Sequence, residues 1–249
     1  MLAFGHALPA RTAEPKPDLA FRTKAAEITV SLDVAIKANG PLAADLLAEG
    51  KRWAQKNLAD ATREMKASPE LFREGRAWSF ERSYTTQSVV AGRYVSVLRT
   101  EYAYTGGAHP NTDLNTILWD NTANKRISIR PFFKELTDNG PALKAVVKAI
   151  IVSLKAEKKE RDTDSPGDEW ARNLEPKLLK IGAAELAPSN ETGKSSGLIF
   201  NYSPYAVGAY AEGAYEAFVP WPVLKPYLSL EGEAIFGGDR PADAGKSDK

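Results

Sequence analysis

From Glu27 to Ile36, apolar Ile28, Val30, Leu32, Val34 and Ile36 alternate with polar Glu27, Thr29, Ser31 and Asp33. A period of two predicts a strand with one buried face. Asn39-Gly40 ends it, and Pro41 suits the first turn of a helix. That helix is predicted from Pro41 to Lys66, with Leu47, Ala54, Leu58, Ala61 and Met65 on one stripe, and Ser68-Pro69 stops it. Trp78, Phe80 and Tyr84 alternate in the next strand, and Tyr94 to Tyr104 returns it as a hairpin through an Ala91-Gly92 turn. A further extended segment is predicted from Asn111 to Trp119. A turn over Asp120 to Asn124 then leads to a continuation from Lys125 to Ile129.

The period then changes to that of a helix. Behind Asp138-Asn139-Gly140-Pro141, residues Leu143, Val146, Val147, Ile150, Ile151 and Leu154 recur at spacings of three and four. The charged run from Lys155 to Asp164 reads as a solvated helix end, and Trp170, Leu174, Leu178 and Ile181 read as a second helical region interrupted near Pro176. Gly197 to Asn201 and Ala214 to Val219 read as strands, and Pro220-Trp221-Pro222 opens a short closing helix through Leu228. Hairpin-linked strands with helices gathered in runs predict an α+β fold. In it, antiparallel sheet accompanies a long N-terminal helix and a second helical region before the final strands. Residues 1–24 and 231–249 lack a core pattern and are expected to be disordered; the remainder divides into halves at 25–110 and 111–230.

Composition narrows the chemistry. The 249 residues are 43% hydrophobic, enough to bury a real core. Lys and Arg number 33 against 32 acids, so the chain lacks the basic excess of a nucleic-acid binder. No apolar run is long enough to span a bilayer. Met1 to Ala10 is small and apolar before a polar, proline-rich stretch, which reads equally as the tail of a signal peptide or as a frayed terminus. There is no cysteine, which removes thiolate catalysis and zinc–thiolate sites. With only His6 and His109 present, a multi-histidine metal site is excluded, no ligand-spaced acidic loop is found, and no cofactor is expected.

Two segments carry candidate chemistry. In Tyr104-Thr105-Gly106-Gly107-Ala108-His109-Pro110-Asn111, paired glycines free the backbone to turn or to approach a ligand, and His109 is placed to act as base or ligand contact. The bland alternative is an interstrand turn whose imidazole bonds the local backbone. In the loop from Phe200 to Gly213, three tyrosines, Tyr202, Tyr205 and Tyr210, fall within nine residues beside Pro204 and Glu212. Tyrosine offers broad amphipathic contact at low entropic cost, which suits protein or sugar recognition. The alternative is that the rings fold back as a satellite core. The ligand-binding candidates are therefore Gly106, Gly107, His109, Asn111, Tyr202, Pro204, Tyr205, Tyr210 and Glu212. A carboxylate-dependent glycan hydrolase built from Glu81, Glu101, Asp113, Asp120, Glu212 and Glu216 is a second reading, and a structural envelope protein a third.

The same segments resemble a known extracytoplasmic domain family of unknown function. It is shared by the lysozyme-receptor anti-sigma factor RsiV and the non-catalytic N-terminal region of the peptidoglycan deacetylase PdaC. The likeness rests on the Gly106-Gly107-Ala108-His109 turn, the stretch Ile117 to Lys125, the run Ile127 to Phe133, the amphipathic helix and the tyrosine loop. In the loop, Tyr205, Val207, Tyr210, Ala211 and Gly213 match, whereas Ala209 replaces a usual proline and Ala206 a common acid. Over residues 25–230 the resemblance implies a PdaC-like N-terminal half and an RsiV-like C-terminal half. It further implies a periplasmic or secreted module that binds lysozyme, another envelope protein or peptidoglycan glycan without catalysis of its own.

Overall fold

The computed structural model describes residues 16–163 and 169–242. Its larger sheet has six strands in chain order: β1 (Leu19–Arg22), β2 (Ala26–Leu32), β3 (Trp78–Val90), β4 (Tyr94–Tyr104), β5 (Asn111–Asp120) and β6 (Lys125–Ile127). All neighbours are antiparallel except β2 and β3. A parallel pair needs a crossover, here supplied by the short α1 (Val34–Ala38) and the 28-residue α2 (Gly40–Ala67). A second sheet is antiparallel and three-stranded: β7 (Ala183–Leu186), β8 (Gly197–Tyr202) and β9 (Tyr215–Pro220). α3 (Pro141–Glu160) and α4 (Glu169–Arg172) precede it, and α5 (Trp221–Leu224) and α6 (Leu230–Ile235) follow. The α+β class read from the periodicities is the one observed.

Several boundaries differ from the pattern. The alternation beginning at Glu27 stops at Leu32, because Asp33 caps α1: its Oδ1 accepts from Ile36 N at 2.7 Å. Val34 is consequently 83% exposed while Ile36 remains buried. Two elements lie inside ranges expected to be disordered. β1 pairs with β2 from Leu19↔Val30 to Arg22↔Glu27, and Asp18 accepts from Leu32 N at 2.8 Å. α6 is capped by Ser229 and followed by buried Phe236, with Tyr94 donating to Glu231. Both are too short to show a period. The N-terminal leader reading falls on residues 1–13, outside the described residues. Between Trp170 and Ile181 only α4 is helical. There isolated turns such as Lys180 N and Ile181 N donating to Lys177 O replace a continuous helix, while Asn139 N donates to Pro176 O at 2.7 Å and Leu178 N to Asp138 at 3.1 Å, tying that stretch to the start of α3.

Two apolar cores result. Leu42, Leu46, Ala54 and Ala61 of α2 pack on Ile28, Val30, Val97 and Trp119 of the larger sheet. Gly50 permits that approach, since a Cβ there would lie 2.7 Å from Val30 Cγ1. Leu143, Val146, Ile150 and Leu154 of α3 pack with Phe200, Tyr215, Ala217 and Val219 of the smaller sheet. Between α2 and its sheet runs an ionic network. Arg82, 5% exposed, bonds Glu101 at 2.8 Å, Arg99 meets both Glu101 and Glu49, and Arg126 meets Glu49 and Asp45. Burial opposes the charge on Glu49, but Arg126, Arg99 and Arg82 outweigh it and hold the carboxyl below its usual range.

The sheets meet through side-chain hydroxyls. Ser88 donates to Leu186 O at 2.6 Å, Leu186 N donates to Ser96 at 3.0 Å, and Thr116 donates to Ala184 O at 2.7 Å. These groups close the edge of β7 that no strand covers among the described residues. Ser96→Ala would leave a buried Leu186 N–H unpaired and is expected to cost about 1–3 kcal/mol in urea unfolding. Glu49→Ala removes the carboxylate shared by three arginines and is expected to cost about 3 kcal/mol. A loss below about 1 kcal/mol for either would show that the contact is dispensable.

Candidate functional site

The Gly-Gly turn joins β4 to β5. Gly106 takes φ +88°, a conformation L side chains rarely adopt, and space around both glycines is open. The turn delivers His109 to the tyrosine loop between β8 and β9. The His109 and Tyr210 rings stack with centroids 3.8 Å apart and planes 22° apart. Tyr205 leans on both, at 6.2 Å from His109 and 5.4 Å from Tyr210. Tyr210 Oη donates to Pro110 O at 2.7 Å. His109 Nδ1 lies 2.9 Å from the same carbonyl, so that nitrogen must carry the hydrogen, leaving Nε2 to accept from Tyr205 Oη at 3.3 Å. Two segments about a hundred residues apart thus build one aromatic cluster.

Tyr205 is its outermost member. The residue sits at φ +73° and is 62% exposed. A bulky side chain in the left-handed region is strained, and here its ring lies beside His109 and Tyr210 while remaining largely in solvent. Ser203 anchors the loop base: it donates to Asp113 at 2.8 Å and accepts from Leu114 N at 2.8 Å. Ser203 and Ala206 of the same loop also line a groove of about 620 Å³ with Leu114, Asn115, Leu178 and Lys180, to which the three cluster rings do not contribute.

The other end of the loop is held by charge. Glu212 accepts from Lys158 Nζ at 2.7 Å, Tyr215 Oη at 2.6 Å and Ala209 N at 2.8 Å. Lys158 is itself 4% exposed and lies 4.4 Å from the Tyr215 ring centre. Burial acts to raise the Glu212 carboxyl, but these donors overcome it and bring the group down to about 2. Glu212 is therefore a fastening of the loop, with its acceptor capacity already engaged.

The remaining candidates separate from the cluster. Tyr202 is core: it is 5% exposed, its hydroxyl donates to Ile181 O at 2.6 Å, and burial pushes that hydroxyl above its ordinary range. Gly182, at φ +119°, makes room for the ring, which a Cβ there would meet at 3.0 Å. Asn111 opens β5 opposite Ala103, and Pro204 lies half-buried beside Tyr205. Of the carboxylates weighed for hydrolysis, Glu101 belongs to the ionic network, Asp120 binds Arg93 at 2.7 Å, Glu216 binds Arg240, and Asp113 holds Ser203. Among the described residues, no group of three or more His, Cys, Asp or Glu side chains is placed to hold a metal ion.

Lys158, Tyr215 and Ser203 were not singled out from sequence. Lys158 left a signal: it continues the spacing Val147, Ile150, Leu154 by one more step of four, which puts it on the buried stripe rather than on a solvated end.

The fastening has a definite pH signature. A carboxyl near 2 in the folded chain and near 4.5 when unfolded contributes stability above about pH 4.5, and that contribution is lost as pH falls toward 2. In Glu212→Gln, melting temperature is expected to fall less steeply than in the parent between pH 4.5 and 2. Superimposable slopes would exclude the ion pair as a determinant.

Residues 132–222 match the profile of a family described as "Protein of unknown function (DUF3298)". Among solved structures, the chain is similar to a DUF3298 family member from Bacteroides fragilis, with TM-score 0.54 and 15% identity over 84% of this chain and 87% of that one. It also matches a DUF3298 family protein from Pseudomonas aeruginosa, with TM-score 0.48 and 15% identity over 85% and 87%. No curated protein matches. The likeness to a domain family of unknown function is thus shown over residues 132–222, and the fold of the described chain is similar to that of the Bacteroides fragilis DUF3298 protein.

Proposed function

We propose that this chain is an extracytoplasmic binding and sensing module of the bacterial cell envelope. Its contact surface is the His109–Tyr205–Tyr210 cluster, and its ligand is lysozyme or a peptidoglycan-type glycan. The observation that carries the reading is Tyr205: the fold holds a large aromatic ring at φ +73° and leaves it 62% exposed. Core packing gives no reason for such a placement, because an apolar ring gains by burial. Contact with a partner does give one, since a fixed tyrosine has little entropy left to lose on binding. The groove lined by Ser203 and Ala206 of the same loop offers amide, hydroxyl and leucine contacts of its own.

On this reading the domain acts by contact rather than by making or breaking bonds, and the choice of lysozyme or cell-wall glycan follows the sequence resemblance. It is tested by calorimetry of the chain with hen lysozyme and with muropeptides. Tyr205→Ala and Tyr210→Ala are each expected to weaken binding about 30-fold or more, the size of a hot-spot residue. Tyr205→Gly separates function from stability. It relieves the left-handed strain and is expected to raise stability by about 1 kcal/mol while still abolishing the contact. Absence of binding to both probes, or full affinity in the Tyr205 variants, would end this reading.

A further inference from the structure

The outer face of the three-stranded sheet carries a second group of polar side chains, separate from the aromatic cluster. Strand pairing aligns Ala183 with Asn201 and Asn201 with Glu216, and Glu185 with Ile199 and Ile199 with Phe218. Directly opposed residues share a face, so Glu185, Asn201, Glu216 and Phe218 all lie on the side away from the Leu198–Phe200–Ala217 core. Glu185 is 2% exposed and Asn201 8%. A buried acid in a sheet face ordinarily has both oxygens partnered, yet Glu185 Oε2 is buried without a partner, as is Arg240 Nε.

The C-terminal segment is fastened to the loop after β7 and reaches this face through Arg240. Gly237 N donates to Ser195 O at 2.9 Å, Asn190 N to Asp239 O at 2.9 Å, and Asp239 N to Asn190 Oδ1 at 2.9 Å. Arg240 then bonds Glu216 and lies 5.1 Å over the Phe218 ring. One guanidinium therefore serves two carboxyls, and it is committed to Glu216, the more exposed of the two. The charges acting on Glu185 are those of Glu216 and Arg240. β3, β4 and β5 meet β7 with Ser88, Ser96 and Thr116, which are not titratable in this range. From α3, Glu157 accepts from Glu216 N at 3.2 Å and bonds Arg161. On the loop after β7, Glu191 lies beside Gly237, and Lys194 donates to Ala234 O at 2.8 Å.

We infer that Glu185, Glu216 and Arg240 form a proton-governed latch, which keeps the segment 237–242 on the sheet while Glu185 is neutral and releases it when Glu185 ionises. A neutral Glu185 leaves Arg240 free to neutralise Glu216. A second carboxylate under the same guanidinium would leave one buried negative charge uncompensated. Lifting the segment admits water to Glu185 and removes that penalty. Burial, reinforced by Glu216, raises the Glu185 carboxyl to about 8, with Asn201 and Arg240 opposing. By linkage, a group that regains an ordinary carboxyl affinity on opening favours the open form as pH rises through the interval from about 4.5 to 8. The opening constant then grows by up to about tenfold per pH unit.

The measurement is amide hydrogen exchange in the full chain between pH 5 and 8.5, corrected for intrinsic exchange, at Asn190, Gly237 and Asp239. Protection in the parent is expected to fall by up to about tenfold per pH unit across this range. In Glu185→Gln it is expected to stay flat, and in Arg240→Gln to be low at every pH. A flat parent profile, or the same slope in Glu185→Gln, would overturn the latch. If Glu185→Gln does not fold, titration of the Glu185 side-chain carboxyl by carbon NMR in the parent decides the matter. A raised midpoint that coincides with loss of protection at Gly237 and Asp239 supports the latch, and a midpoint near 4.5, or protection unchanged through the midpoint, refutes it.

Discussion

The structure depends on how the three-stranded sheet is closed at its two edges. An exposed edge is a row of unpaired N–H and C=O groups, and proteins normally cover it with another strand or block it. Among the described residues, neither edge is covered by a strand. β7 is closed by the hydroxyls of Ser88, Ser96 and Thr116 on the larger sheet, and β9 by Ser153 and Glu157 of α3, which accept from Phe218 N and Glu216 N. Each bond is modest, yet each satisfies a backbone group that would otherwise be buried unpaired, so their loss costs more than their formation gains. The small sheet is wedged between the large sheet on one side and α3 on the other. The seam thereby fixes where the β8–β9 loop can reach, and it reaches the β4–β5 turn carrying His109.

That constraint explains which parts of the molecule were legible in the sequence. Period and punctuation revealed α2, α3, the β3–β4 hairpin and β5, because each buries one long continuous face. Gly106-Gly107 and the three tyrosines marked two loops, though nothing in their spacing said that the loops meet. The meeting depends on the seam serines and threonine, which in sequence are indistinguishable from solvent-facing polar positions of a strand. Tyr202 shows the converse. It belongs to the same run as Tyr205 and Tyr210, yet alternation in β8 turns it inward opposite Tyr215, where Gly182 leaves space for its ring. Strands of four residues, such as β1 and β7, hold too few positions to display a period and take their identity from the neighbours they pair with.

Charges follow the same division between apparent and actual role. Lys158 sits in a run of charged residues that composition assigns to solvent, but its helical phase aims it at Tyr215 and Glu212. A buried ammonium is tolerable because a carboxylate, a hydroxyl and an aromatic face surround it. Arg82 is handled likewise beneath α2, between Glu101, the Tyr84 hydroxyl and the Trp53 ring. Both groups sit where an element must be fixed in rotation as well as in position, which a directional ion pair achieves and greasy contact alone does not.

The two ends of the tyrosine loop are held by different physics, and the contrast bears on what the loop can do. At Ser203 the tether is a pair of neutral or singly charged hydrogen bonds to β5, while at Glu212 it is an ion pair reinforced by a tyrosine hydroxyl and a backbone N–H. Between these fixed points the chain makes few backbone bonds of its own, and there Tyr205 occupies a strained conformation. Strain concentrated in a segment clamped at both ends cannot relax by shifting the segment as a whole; it can relax only by moving the Tyr205 ring or the turn beneath it. The contacts of that ring lead through His109 and Pro110 to the start of β5, so the strained turn is joined to the larger sheet by the aromatic cluster.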